Sequence, residues 1–422
     1  MKKLILLILL PFILISCAEV QDPLTGKKTF TLLPEQEEIA IGQKVVPQAI
    51  EENEGQYPDE EVRKYISNLG WKIATVTPRK LDYKFYIVNS NELNAFALPG
   101  GFIFINKGLV EKLNNESELA GVIAHELGHV NARHHAKFLE KQYGINILLN
   151  ILSISISNSQ YYNVVMNLAS ISANLLTLKF SRDQESEADA LGVRFSYQAG
   201  YDPNGLVETF YIFKELEKSS PPEWLLTHPL PDTRIQNVKN LIATYPKRAF
   251  LKKDSQEFQY IKSKILKQNK SFELINQAKN DITQKNFDLA LRKINEAISI
   301  YPQNSLAYTY RAYIYLVKKD YNNALNDSYK AINIDNLYFR PKLFAGIALT
   351  RLNKNEEAIN ILNQAISLIP DNPDSYYYLG LNYEATRRYQ KAAQSYNMAL
   401  KLTDGKRGWE PDAQARLRRL TG

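Results

Sequence analysis

Cysteine is almost missing from this chain: in 422 residues there is one, Cys17. Disulfide bridges within the chain are therefore excluded. Histidine is scarce too, with five in all. The net charge of +7 comes mostly from lysines spread along the sequence. No cluster of arginines with interleaved aromatics stands out, which argues against nucleic-acid binding. Long apolar runs are also few. The stretch 144–180 is apolar but broken by Asn and Ser, and no window in it has the clean length of a membrane span. What is present is an ordinary globular composition, 45% hydrophobic and 23% charged, at a length that suits about two to three domains.

The first residues have a distinct layout. Lys2 and Lys3 precede an apolar run, LILLILLPFILI, at residues 4–15, and small Ser16 follows. This is the pattern of a secretory signal peptide, expected over 1–16. LISC, Leu14 to Cys17, resembles the lipobox of bacterial lipoproteins, in which the cysteine becomes the lipidated first residue. The resemblance implies a lipid anchor on Cys17. With Ala18 next rather than an aspartate, lipoprotein sorting implies the outer membrane, on the periplasmic side of the envelope.

Beyond the signal, 17–80 reads as an extended lead followed by helices, one opening near Pro34-Glu35 and one over 59–76 with Val62, Ile66, Leu69 and Ile73 at helical spacing. KFYIVNS (84–90) reads as a strand, and NAFALPGGFIFINKGLV (94–110) as strand, Pro-Gly-Gly turn and strand. Asn115 with Glu118 is a helix-start signal. Residues 144–180 are expected to form helices over the active region, as core or as a lid. An acidic helix, SRDQESEADALGVRFSYQAG, ends at Gly200, and a proline-rich loop at 219–235 carries the fifth histidine. The lysine-rich stretch 246–270 reads as a connector.

The tail repeats itself. Alanine recurs at 290, 324, 358 and 392, a step of 34, and again at 297, 331, 365 and 399. Ala278, Ala312, Gly346 and Gly380 keep the same step. This resembles the tetratricopeptide repeat, in which small residues let paired helices pack closely. Four copies fit, over 271–406, and leave 407–422 as a tail. Asp281 stands where later copies have Tyr315 and Tyr383, which suggests a capping end or a docking point.

Four of the five histidines fall within VIAHELGHVNARHH, residues 122–135. His125 and His129 are four apart, so on a helix they share a face, with Cβ atoms about 5–6 Å apart. Two imidazoles on adjacent turns can grip one zinc ion, and Glu126 between them can act on water as a general base. Val122, Ile123, Ala124, Leu127 and Val130 mark the helix as buried, where a histidine pair needs a partner. His134 and His135 read as the polar end of that helix. A catalytic zinc needs a third ligand, and the acidic helix offers Asp183, Glu185, Glu187 and Asp189. Glu185 and Asp189 share a face, so Glu185 could bind metal while Asp189 accepts the outer N–H of a ligand histidine.

Taken together, HELGH, SRDQESEAD and THPLPDTRI resemble the HtpX/BepA-like zinc metallopeptidases, kin of the CAAX prenyl proteases, over about residues 20–245. The resemblance implies an α+β fold: a mainly helical, zincin-like (gluzincin) protease domain with a small sheet, its core over 81–245, then the all-α repeat solenoid. It implies one Zn2+ on His125, His129 and Glu185, with Asp189 supporting. His228 would be a transition-state stabiliser or fourth ligand, and Arg234 would support His228. The repeats make it most similar to the BepA type. Expected partners are unfolded or misassembled envelope proteins and, through the repeats, the outer-membrane β-barrel assembly machinery. The competing expectation is a tetratricopeptide scaffold or chaperone with a latent peptidase site.

Overall fold

In a computed structural model of the chain, the structure describes residues 18–21, 26–144, 148, 158–217, 219 and 221–422. The expected signal peptide and Cys17 lie outside these residues. Two short strands, β1 (Ala18–Gln21) and β2 (Lys28–Thr31), pair antiparallel ahead of helix α1 (Glu35–Glu52). Helix α2 (Glu60–Ala74) is opened by Asp59, whose side chain accepts from Val62 N. Val62, Ile66, Leu69 and Ile73 all face the core.

A three-stranded sheet follows, ordered β3-β5-β4. β3 (Lys84–Val88) runs parallel to β5 (Phe102–Asn106), and β4 (Ala95–Leu98) antiparallel to it. All five β5 residues are buried, as a central strand requires. Gly100 (φ +84°) and Gly101 (φ +95°) make the β4–β5 turn. The second strand stops at Asn106. The segment read as its continuation is a short helix, α3 (Lys107–Lys112).

Helix α4 (Glu116–Asn131) begins where Asn115 accepts from Glu118 N and carries the HELGH segment through the middle of the molecule, every residue buried. The sequence over 122–135 is two helices, not one. Arg133 adopts a left-handed conformation (φ 56°), and α5 (His134–Tyr143) starts in a new direction. His134 and His135 are consequently buried, at 0% and 2% exposure, and not a polar helix end. Helix α6 (Asn158–Leu176) packs Ile171 and Leu175 into a cluster with Ile41 and Val45 of α1. It also reaches the last repeats, with Tyr161 Oη 3.2 Å from Tyr376 Oη. The rest of the stretch read as core or lid lies outside the described residues.

Helix α7 (Arg182–Gln198) is opened by a capping box between Ser181 and Gln184. Then come α8 (Asn204–Glu217), the single turn α9 (Trp224–Thr227) and α10 (Asp232–Ala243). The stretch read as a connector to residue 270 is instead half helix. α11 (Gln256–Thr283) runs through it into the first repeat. Phe258, Ile261 and Ile265 form an apolar stripe at helical spacing that joins the core built on α2 and the sheet, and Lys262 and Lys264 reach Leu113 O at 2.6 Å and Asp59 at 2.9 Å across the same contact.

The repeat helices are α11 with α12 (Phe287–Ile300), α13 (Ser305–Val317) with α14 (Tyr321–Ile334), α15 (Phe339–Arg351) with α16 (Asn355–Leu368), and α17 (Pro373–Ala385) with α18 (Tyr389–Leu402). All the alanines of the 34-residue step are fully buried between helices. Each pair turns through a non-glycine residue in the left-handed region: Lys285, Lys319, Asn353 and Arg387. The segment read as a tail is a further helix, α19 (Glu410–Thr421), sealed to the last pair by Trp409 stacked on Tyr377 at 4.7 Å between centroids. Among the described residues, no helix is long and apolar enough to cross a membrane.

Candidate metal centre

The centre forms where α4 and α7 cross. A Cβ on Gly128 would lie 2.8 Å from Ala188 O, and one on Gly192 would lie 3.2 Å from the His125 backbone. Glycine at both points lets the two backbones touch. That brings the Glu185 carboxylate to 3.7 Å from His125 Nε2 and 3.5 Å from His129 Nε2. His228, on the turn after α9, joins from a third segment. One ligand atom each from His125, His129, Glu185 and His228 can be chosen so that all lie within 4.8 Å of one another.

The polar contacts around the rings assign their tautomers. His125 Nδ1 lies 3.0 Å from Asp189 Oδ1. The carboxylate only accepts, so Nδ1 carries the hydrogen and Nε2 is bare. His228 Nδ1 lies 3.3 Å from Trp224 O and donates to it, which bares its Nε2 as well. His129 Nδ1 lies 2.9 Å from His134 Nδ1, and its Nε2 faces that of His125 at 3.1 Å. His134 Nε2 lies 3.0 Å from Glu187 Oε2, so its Nδ1 accepts from His129 Nδ1 and leaves His129 Nε2 bare too. Two bare nitrogens this close, beside the Glu185 carboxylate, repel unless a cation sits among them. His228 Nε2 and both Glu126 oxygens also have no hydrogen-bond partner despite full burial. The donor set suits a divalent metal ion: three imidazole nitrogens and one carboxylate.

Burial governs the electrostatics. It pushes His125, His129 and His228 below the usual imidazole value, so each is neutral and ready to bind metal. Burial also raises Glu185, and it lifts Glu126 to about 8. Asp189 feels the same burial, yet the Arg234 guanidinium and His125 together hold it below the usual carboxylate range.

Arg234 corrects one expectation. Its fork grips the acidic helix and not His228: Nε and Nη2 donate to Asp189 at 2.5 and 2.8 Å, and Nη1 reaches Glu185 Oε2 at 2.5 Å. Its link to His228 is indirect, through Pro229 O at 3.0 Å. His228 is held by Trp224, whose indole stacks on the imidazole at 4.5 Å and 6°. Phe180 lies over His129 at 3.8 Å between centroids. Glu126 Oε1 is 3.6 Å from His228 Nε2. Trp224, Phe180, Thr227 (2.8 Å from His228 Nδ1) and His134 escaped the sequence reading. Trp224 lies four residues before His228, and that spacing is the one signal that pointed to it.

A histidine pair one helical turn apart, an adjacent glutamate and an acidic helix laid across them form a candidate metal centre. Residues 57–242 match the model of Peptidase family M48, and residues 346–386 match that of a TPR repeat. Among curated relatives, a beta-barrel assembly-enhancing protease of Yersinia pestis is 32% identical over 43% of this chain and 39% of its own length. The protein of that name from Escherichia coli (strain K12) is 26% identical over 72% of this chain and 68% of its own. The chain thus covers about two fifths of the first relative's length. Among solved structures, MamA from Desulfovibrio magneticus RS-1 is 16% identical, with a TM-score of 0.31 over 36% of this chain and 93% of its own.

Proposed function

We propose that the chain is a zinc-dependent endopeptidase of the bacterial envelope, acting on misfolded or stalled outer-membrane proteins that its repeats recruit. The observation that carries the reading is the pair of facing Nε2 atoms beside Glu185, with the unpartnered Glu126 carboxylate next to them. His125, His129 and Glu185 would hold zinc, which would supply Lewis acidity to the site. Glu126 takes the proton of the attacking water and returns it to the leaving amine. Asp189 and Arg234 hold His125 and Glu185 in place. β4 is an edge strand beside α4, where an extended substrate segment could add to the sheet. The repeats and the names of the curated relatives favour partners in β-barrel assembly. A lipid on Cys17 would tether the enzyme to the outer membrane.

The test is Glu126→Gln in the purified full chain. Zinc content should stay at wild-type level while casein cleavage falls by about 10²–10⁴-fold. Wild-type protein that binds no zinc, or a variant that cleaves normally, would end this reading.

One observation favours the scaffold reading as a resting state. His228 completes a four-donor set, and all four donors are closed off from solvent by Trp224 and Phe180. Four protein ligands closed to solvent are the mark of a structural site. If Glu126→Gln cells keep full envelope function, the repeats and not the peptidase carry the biology.

A further inference from the structure

His134 is fully buried, and both its ring nitrogens are engaged. Nδ1 lies 2.9 Å from His129 Nδ1, and Nε2 lies 3.0 Å from Glu187 Oε2. A neutral imidazole has one donor and one acceptor. The Glu187 carboxylate accepts, so Nε2 carries the hydrogen and Nδ1 is the acceptor. His129 must then donate from Nδ1, which leaves its Nε2 bare toward the centre. His125 gets the same orientation from Asp189 directly. The two histidines of the motif are thus aligned by different devices. For His125 it is one carboxylate. For His129 it is an imidazole that spans the distance to a second carboxylate on the same helix.

The backbone is shaped for this contact. Arg133, at φ 56°, ends α4 and turns the chain so that His134 comes back beside His129. Glu38 holds Arg133 in that turn at 2.9 Å. Phe180 covers both rings, with centroids 3.8 Å from His129 and 5.9 Å from His134, so water does not compete for the His129–His134 bond. Glu187, 21% exposed, ends the line of contacts at the solvent edge.

We propose that His134 is the positioning residue of His129, and Glu187 of His134: two hydrogen bonds in series that fix the tautomer and ring angle of one metal ligand. The proposal rests on the metal-centre reading above. The test measures Zn2+ affinity of the full chain by competition with a chromophoric chelator, with the fold of each metal-free variant followed by circular dichroism. His134→Leu should weaken binding by about 10–100-fold. His134→Asn places its amide oxygen where Nδ1 was, keeps the bond from His129 and should bind close to wild type. His134→Gln places its amide nitrogen where Nε2 was, keeps only Glu187 and should bind as weakly as the leucine variant. In nitrogen-15 spectra of the metal-free protein, His129 should be protonated at Nδ1 in wild type and tautomerically mixed in His134→Gln. Wild-type affinity in His134→Leu, or equal losses in the folded asparagine and glutamine variants, would overturn the proposal. Should the leucine variant not fold, the asparagine–glutamine pair decides alone. A wild-type protein that binds no zinc, like a His125→Ala control, sinks the metal-centre reading instead.

Discussion

Arg234 is the residue on which the charges of the centre depend. It is nearly buried, and its guanidinium faces Asp189 and Glu185 together. Removing one partner of such a cluster strands the other charges out of water. Arg234→Met should therefore cost about 3–5 kcal/mol in chemical denaturation of the metal-free protein. It should also release the Asp189 carboxylate from its depressed state, since burial alone would raise it. Added zinc should recover part of the lost stability, because it rewards the same folded arrangement. A variant with wild-type stability would show that the cluster tolerates the loss by other means.

Helix crossing is the next scale. In an exposed helix, Gly→Ala stabilises by up to about 1 kcal/mol through backbone entropy. Gly128 should behave in the opposite sense. The added methyl would press on Ala188 O, a backbone atom of α7 that no rotamer change can move aside. Gly128→Ala should cost about 1–3 kcal/mol as overpacking, and Gly128→Val more. The displacement would fall on the turn of α7 that holds Glu185 and Asp189. Zinc content should therefore drop along with the denaturation midpoint. Loss of stability with full zinc occupancy would separate the crossing from the site.

At the scale of the whole molecule, the metal-centre region and the repeats are not beads on a string. One apolar cluster runs from α2 and the sheet through α11 into the first two helix pairs. The loop between α1 and α2 is the polar seat: Asp335 accepts from Gln56 N at 2.7 Å and from Gln56 Nε2 at 2.9 Å, and Arg340 Nε meets Glu51 at 2.6 Å. Lys279 and Glu54 pair beside them. Tyr57 stacks on Phe272 at 5.8 Å. Asp335→Ala leaves two buried or half-buried donors of Gln56 without partners, at about 1–3 kcal/mol. Faster hydrogen exchange is expected over 53–59 and α15, with α4 and α7 unchanged. Uniform destabilisation of the whole chain would mean that the seat is no separable unit.

Much of this was legible in the sequence, for physical reasons that are local. Helix period, caps and the 34-residue step depend on near neighbours, so the helices, the small-residue packing and the face shared by His125 and His129 could be read directly. The step at Asn115 and the box at Ser181–Gln184 mark helix starts by hydrogen bonds three residues long. What was misread required distance or direction. The lysines of 246–270 hid an apolar stripe whose partner lies nearly two hundred residues earlier on α2. The left-handed Arg133, an uncommon conformation that Glu38 secures from another helix, split one expected helix in two and buried a histidine pair taken for solvent. Arg234 went to the acids because the crossing of α4 and α7 put them within its reach. Sequence by itself determined which side chains could hold a metal ion. Only the tertiary structure decided how they are aligned, because alignment is set by contacts between segments that no short-range rule connects.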